Sequence, residues 1–156
     1  MAGKKVLLVE GSDDKHVMGT LCDNRGLPRP ADIRSHDGVD DLLKGFPVRL
    51  KESGVEIIGI VIDADTDLVS RWEAIRQPLI RNGYANVPTA PLPGGTILDP
   101  PADTLLPRVD VWIMPNNQTT GILEDFFAFS RAGGVFVVQA RHEKRGWYPK
   151  ERTAFP

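Results

Sequence analysis

The chain has 156 residues, 41% of them hydrophobic, and a formal net charge of -2 at pH 7, which suits one domain with a single core and argues against a dedicated polybasic nucleic-acid binder. Its single cysteine, Cys22, excludes an intramolecular disulfide, and His16, His36 and His142 are too scattered for a local zinc motif. Neither the short apolar run Val6 to Val9 nor any later stretch has the length of a signal-peptide core or a bilayer span, so a cytoplasmic protein with no membrane partner is expected.

Lys4-Lys5-Val6-Leu7-Leu8-Val9 reads as a first strand, apolar enough to be buried on two faces. Asp13 to Arg25 follows as a helix, with Val17, Met18 and Leu21 at helical spacing, Ser12 or Asp13 as its cap and Gly26 as its stop. A short strand around Ile33 to His36 precedes a second helix over Val39 to Ser53, which Pro47 must kink or split. Ile57-Ile58-Gly59-Ile60-Val61-Ile62 is a second buried strand, rich in β-branched residues. The third helix runs from Thr66 to Arg81, with Leu68, Trp72, Ile75, Leu79 and Ile80 mostly on its inner face, a bend at Pro78 and a stop at Asn82-Gly83. Strands and helices in alternation predict an α/β fold with a mainly parallel central sheet and helices on both faces.

Residues 86–108 change texture: the stretch from Val87 to Pro107 holds six prolines and a Gly94-Gly95 pair, a long insertion loop with one short strand at Thr96-Ile97-Leu98. Val109 to Met114 is again a strand, Pro115-Asn116-Asn117 a turn, and Gly121 to Ser130 an amphipathic helix, so that residues 1–131 form one domain. Residues 132–156 read as a last strand at Val135 to Val138 and a loose basic tail. In that tail Arg141, Lys144, Arg145, Lys150 and Arg152 alternate with Trp147 and Tyr148, a mixture that can track a single strand, although Glu143 and Glu151 dilute its charge. Open strand edges would allow oligomerisation.

The chemistry concentrates at two strand ends. Glu10 follows the first buried strand, and Asp63 and Asp65 follow the second, in the order Asp-Ala-Asp. Strand alternation would point Asp63 and Asp65 the same way, and open parallel sheets gather their ligands beyond the carboxyl ends of the strands. Three carboxylates this close repel one another unless a cation neutralises them, and an all-oxygen set with room for water suits Mg²⁺, with Mn²⁺ as a substitute. The plainer reading is that acids after strands cap the next helix, as Asp13, Asp65 or Thr66 would. Glu124 and Asp125 open the last helix, either as ligands to a second ion or, more commonly, as complements to its dipole. Lys15, early in the first helix, is placed to approach a phosphate or to lie solvated. Asp67 is expected in the exposed first turn of the third helix, and Arg71, Arg76 and Arg81 are spread around that helix and read as solvated.

Val9-Glu10-Gly11 and Ile62-Asp63-Ala64-Asp65 resemble the two signature motifs of the Toprim domain, shared by topoisomerases, primases, recombination-mediator proteins and nucleases of the overcoming-lysogenization-defect type. The resemblance covers residues 4 to 85. It implies a Rossmann-like sandwich, a glutamate that moves a proton or holds metal, and two aspartates that bind Mg²⁺. Val111 to Asn117 and Gly121 to Phe126 are similar to a small, poorly characterised group of Toprim-like bacterial proteins, in which an aspartate would stand at Asn116 and the C-terminus would continue differently.

The leading expectation is therefore a Mg²⁺-dependent enzyme acting on nucleic-acid phosphodiesters, a Toprim-like nuclease or strand-transfer module, with Glu10, Asp63 and Asp65 as catalytic and metal-binding residues. A second is a binding or regulatory module that keeps the fold without the chemistry. A third is a phosphoacceptor receiver with Asp63 as acceptor, weakened by Gly11, which breaks the acidic pair such domains need, and by the lack of a lysine at the end of a late strand.

Overall fold

The structure is a computed structural model that describes residues 3–121 and, as backbone, the strands 136–138 and 149–151. In chain order the elements are β1 (Lys4–Val9), α1 (Ser12–Asn24), β2 (Asp32–Ser35), α2 (Val39–Arg49), β3 (Val55–Asp63), α3 (Leu68–Arg81), β4 (Thr96–Leu98), β5 (Arg108–Met114), β6 (Phe136–Val138) and β7 (Pro149–Glu151). Five strands form one sheet in the order β2-β1-β3-β5-β4; β6 and β7 pair as a separate antiparallel ribbon. β1, β2, β3 and β5 are mutually parallel and only β4, at an edge, runs antiparallel. The α/β fold with a mainly parallel sheet is the one predicted.

Period-2 alternation divides the inner strands between two faces. On one, Leu42, Phe46 and Leu50, one helical turn apart on α2 and its cap, pack with Trp72, Ile75 and Leu79 of α3 over Val6, Leu8, Ile58, Ile60 and Ile62. Burying each such side chain is worth about 1.5–3 kcal/mol, so this face supplies most of the cohesion. On the other face Leu7, Val9 and Ile33 gather Met18 of α1 and Val61. Helices thus cover both faces, as right-handed crossovers require when the chain moves from β1 outward to β2 and then back past β1 to β3.

Several local expectations shift. The N-cap of α1 is Gly11, not Ser12 or Asp13; it has no side chain to offer, and Asp14 instead reaches back to accept a hydrogen bond from the Gly11 N–H at 2.9 Å. α2 stops at Arg49 with Leu50 as its cap, and Pro47 sits in its last turn, where the missing N–H neither ends nor splits the helix. α3 begins at Leu68 because Asp67 is its cap, accepting from the Ser70 N–H at 2.9 Å and from Ser70 Oγ at 2.6 Å. Neither Asp65 nor Thr66 fills that role. Ile80, expected inward, is 43% exposed, while Pro78 takes a buried position on the inner face. No helix among the described residues is long and apolar enough to cross a membrane.

Candidate functional site at the switch point of the sheet

In an open α/β sheet, two neighbouring strands whose outgoing chains turn to opposite faces leave a crevice beyond their carboxyl ends. Here those strands are β1 and β3: the chain leaves β1 through α1 on one face and β3 through α3 on the other. Val9 lies opposite Val61 in the register, so Glu10 emerges beside the end of β3. Its carboxylate spans the gap, and Glu10 Oε1 accepts a hydrogen bond from the Asp63 N–H at 2.6 Å. The carboxylate therefore faces the Asp63-Ala64-Asp65 turn.

The aspartates part company after that. Asp63 is the last residue of β3, whereas Asp65 adopts a left-handed backbone with φ of 51° and forms a two-residue bridge with Gly121, each N–H reaching the other's carbonyl at 2.8 Å. Regular strand pairing ends at Asp63, so Asp65 lies past the reach of strand alternation, in a bridge of its own. Asp65 Oδ2 instead accepts from Arg71 Nη2 at 2.9 Å, from the first turn of α3. Arg71 Nη1 also lies 3.7 Å from Asp40 Oδ1 in the first turn of α2, so one guanidinium ties both helices to the end of β3. Its side chain is only 23% exposed, and its buried Nε has no hydrogen-bond partner among the described residues.

Asp40 is brought near by the loop after β2. His36 N–H donates to the Val9 carbonyl at 3.2 Å, His36 Nδ1 lies 3.0 Å from the same oxygen, and Gly38 N–H donates to the Glu10 carbonyl at 3.1 Å. Gly38 has a φ of 89°, a backbone that disfavours any side chain and lets the loop turn directly into α2. Along the other rim, Asn117 is buried and its Oδ1 accepts from the Ile113 N–H at 2.7 Å, folding the end of β5 back toward Gly121 and Asp65. Asn116, where the resemblance implies an aspartate, uses Oδ1 to accept from Gln118 N–H, Thr119 N–H and Thr119 Oγ1, each at 3.0 Å. It holds a turn.

The electrostatics follow from this arrangement. Burial pushes the Glu10 carboxyl above the usual carboxylate range; the Asp63 N–H pulls the other way, the charges of Asp65 and Asp14 push it further up, and Arg71 pulls it down. Net, the proton affinity of Glu10 is raised. Among the described residues no group of three or more His, Cys, Asp or Glu side chains is placed to hold a metal ion. The oxygen donors have the chemistry of a Mg²⁺ site, but with Asp65 engaged by Arg71 the arrangement described is not that of a cage, and its resident cation is a guanidinium. Lys15 stands in the first turn of α1, facing a groove along that helix, and Glu124 and Asp125 lie outside the described residues.

Residues 4–133 match the family described as "Protein of unknown function (DUF3226)". The chain belongs to that family. No curated protein and no solved structure matches it. The family match spans β1 to β5, so the strand ends carrying Glu10, Asp63 and Asp65 lie inside it.

Proposed function

We propose that this member of the DUF3226 family is a Toprim-like module that acts on nucleic-acid phosphodiesters at the crevice between β1 and β3. The observation that carries the reading is Glu10 closing onto the Asp63 N–H at 2.6 Å across the switch point of a parallel sheet. The residues concerned are those of the two Toprim-like motifs, Val9-Glu10-Gly11 and Asp63-Ala64-Asp65, on adjacent parallel strands. In this reading Glu10, whose proton affinity is raised chiefly by burial, moves a proton to or from the attacked or leaving oxygen. Arg71 orients Asp65, and the Asp63 N–H holds the Glu10 side chain in register with the reacting group.

The test is cleavage of end-labelled single- and double-stranded DNA and RNA in buffers containing Mg²⁺ or Mn²⁺, the ions that Toprim-type sites use. The wild type is expected to cut at least one substrate. Glu10→Gln keeps the carbonyl acceptor for Asp63 N–H but not the titratable proton, and should lose activity about 100-fold or more. Cleavage that survives Asp63→Ala together with Asp65→Ala removes the reading.

One observation favours a second reading, a binding or regulatory module without chemistry: Asp65 is held by Arg71 and so withheld from a shared site with Glu10. Binding of a strand without cleavage under any of those conditions would select it. The receiver reading gains nothing, since Ile113-Met114-Pro115 at the end of β5 includes no lysine.

A further inference from the structure

Beside the switch point, α1 and the segment leading into β2 border an open groove of about 570 Å³, within the ~300–1,000 Å³ usual for ligand sites. One wall begins at Ser12, the first residue of α1, and passes Lys15 and His16 to Thr20; at ~1.5 Å of rise per residue it is ~12 Å long. The other wall is formed by Arg29 to Ile33. The groove therefore starts two residues past Glu10 and follows α1 away from it.

Its lining is more cationic than that of the crevice. Around Glu10 stand Asp14 and Asp65, with Asp63 on the same turn, against one arginine. A phosphate arriving there is repelled, so the charge that holds it must come from adjoining surface. In the groove the cations are Lys15 and Arg29, and the single lining carboxylate, Asp32, is engaged by Arg34 Nε at 2.7 Å. Lys15 has no ion pair among the described residues.

Arg29 is preorganised. Its Nε donates to Asp23 Oδ1 at 2.7 Å and its Nη2 to Asp23 Oδ2, which occupies one edge of the fork. Nη1 has no hydrogen-bond partner among the described residues. A Cβ at Gly19 would lie 3.7 Å from Nη1 and 3.8 Å from both Cζ and Nη2, near-equal distances that place the flat guanidinium over the helix at its one residue without a side chain on this wall. With one edge on Asp23, this guanidinium keeps its Nη1 edge for a phosphate oxygen.

We propose that this groove holds successive phosphates of a nucleic-acid single strand entering the switch-point crevice, one on Lys15 and one on the Nη1 edge of Arg29, with the Ser12 and Thr20 hydroxyls donating beside them. The inference rests on the nucleic-acid reading above and names the surface that would deliver the strand.

The experiment is fluorescence anisotropy of the full chain with a short labelled single strand in EDTA, across a salt series, so that binding is read without cleavage. Each phosphate contact on a single strand contributes ~0.7 to the slope of log K against log salt, so Lys15→Ala with Arg29→Ala should lower the slope by ~1.4 and weaken binding about tenfold or more. Gly19→Leu leaves the charge unchanged but lifts Arg29 from the helix, and should reproduce the Arg29 part of the loss. Lys44→Ala with Lys51→Ala, remote from the groove, should keep the wild-type slope. Circular dichroism confirms that each variant is folded before it is compared. A wild type that binds with the same slope as the Lys15/Arg29 variant overturns the groove and leaves the proposed function standing. A wild type that neither binds nor cleaves any strand overturns both. Binding of inorganic pyrophosphate to the same residues without strand binding would assign the groove to a small phosphate ligand and overturn the polymer form of the proposal.

Discussion

Two glutamates of this chain each face an arginine, and their fates are opposite. Glu52, beyond the end of α2, receives the full fork of Arg34, with Nη1 to Oε2 at 2.6 Å and Nη2 to Oε1 at 2.8 Å. That fork holds its carboxyl down to about 2. Glu10 receives a single backbone N–H, while its arginine, Arg71, is drawn away to Asp65 and Asp40 and acts on it only through space. Burial and two neighbouring acids then raise its proton affinity. A carboxylate with a matched partner is a structural tie; one with an incomplete partner set, at the switch point of a sheet, is poised to exchange a proton.

The largest effect expected from this contrast is on chemistry. Glu10→Gln should cut phosphodiester cleavage about 100-fold or more, yet should not lower the melting temperature, because it removes a carboxylate that burial penalises while keeping the acceptor for Asp63 N–H. Glu52→Gln should do the reverse, leaving cleavage intact. Product gels and thermal melts on the two variants, side by side, check the dissociation. A matching loss of stability in both would mean that Glu10 is a tie of the same kind as Glu52.

Stability comes next. Arg34→Ala removes the fork on Glu52, leaving it Arg49 at 3.4 Å, and removes the 2.7 Å contact with Asp32, leaving it Lys4 at 4.0 Å. Because the Glu52 side chain is 30% exposed and partly screened, the cost should be about 1–2 kcal/mol. In a chain of this size that lowers the melting temperature by roughly 3–6 °C. The pH dependence has a definite sign. Glu52 has a folded value of about 2 against an ordinary 4.5, so its contribution is present above about pH 4.5 and is lost as pH falls toward 2. Glu10 is raised, so its contribution is present below 4.5 and is lost as pH rises through its folded value. Melting curves across pH should therefore show Glu52→Gln flattening the acid limb and Glu10→Gln flattening the loss on the other side.

What was legible in the sequence follows the range of the forces involved. β4 is found at Thr96–Leu98 as read, and the buried strands and the first three helices fall within a few residues of their predicted spans, because apolar periodicity is local, while the helix expected over Gly121 to Ser130 lies outside the described residues. Helix ends were misplaced where a cap was decided by geometry: Asp67 displaced Asp65 and Thr66, and Asp14 reached back over a glycine cap. At the site, Glu10 meeting the end of β3 could be anticipated from two strand ends in parallel register. The direction of Asp65 could not, since it depends on a left-handed turn and on Gly121, far along the chain. Arg71 was missed for a related reason. Its spacing from Arg76 and Arg81 spreads the three around the helix and suggests that each is solvated, but Arg71 is tied to Asp65 and Asp40, and Arg76 Nε donates to the Pro88 carbonyl at 3.0 Å. Those contacts cross between elements that no periodicity connects.

The smallest expected effect isolates Arg71. Its partners Asp65 and Asp40 are 42% and 83% exposed, so Arg71→Gln should change stability by less than about 1 kcal/mol. Its charge nonetheless lowers the proton affinity of Glu10, while the charges of Asp65 and Asp14 raise it. Carbon-13 NMR of the Glu10 side-chain carboxyl should therefore titrate at higher pH in Arg71→Gln than in the wild type, and at lower pH in Asp65→Asn and Asp14→Asn. If Arg71→Gln leaves that titration in place while Asp65→Asn moves it, the guanidinium belongs to the tie between α2 and α3 alone. A shift in both, with opposite signs, makes Arg71 the residue that sets how readily Glu10 gives up its proton.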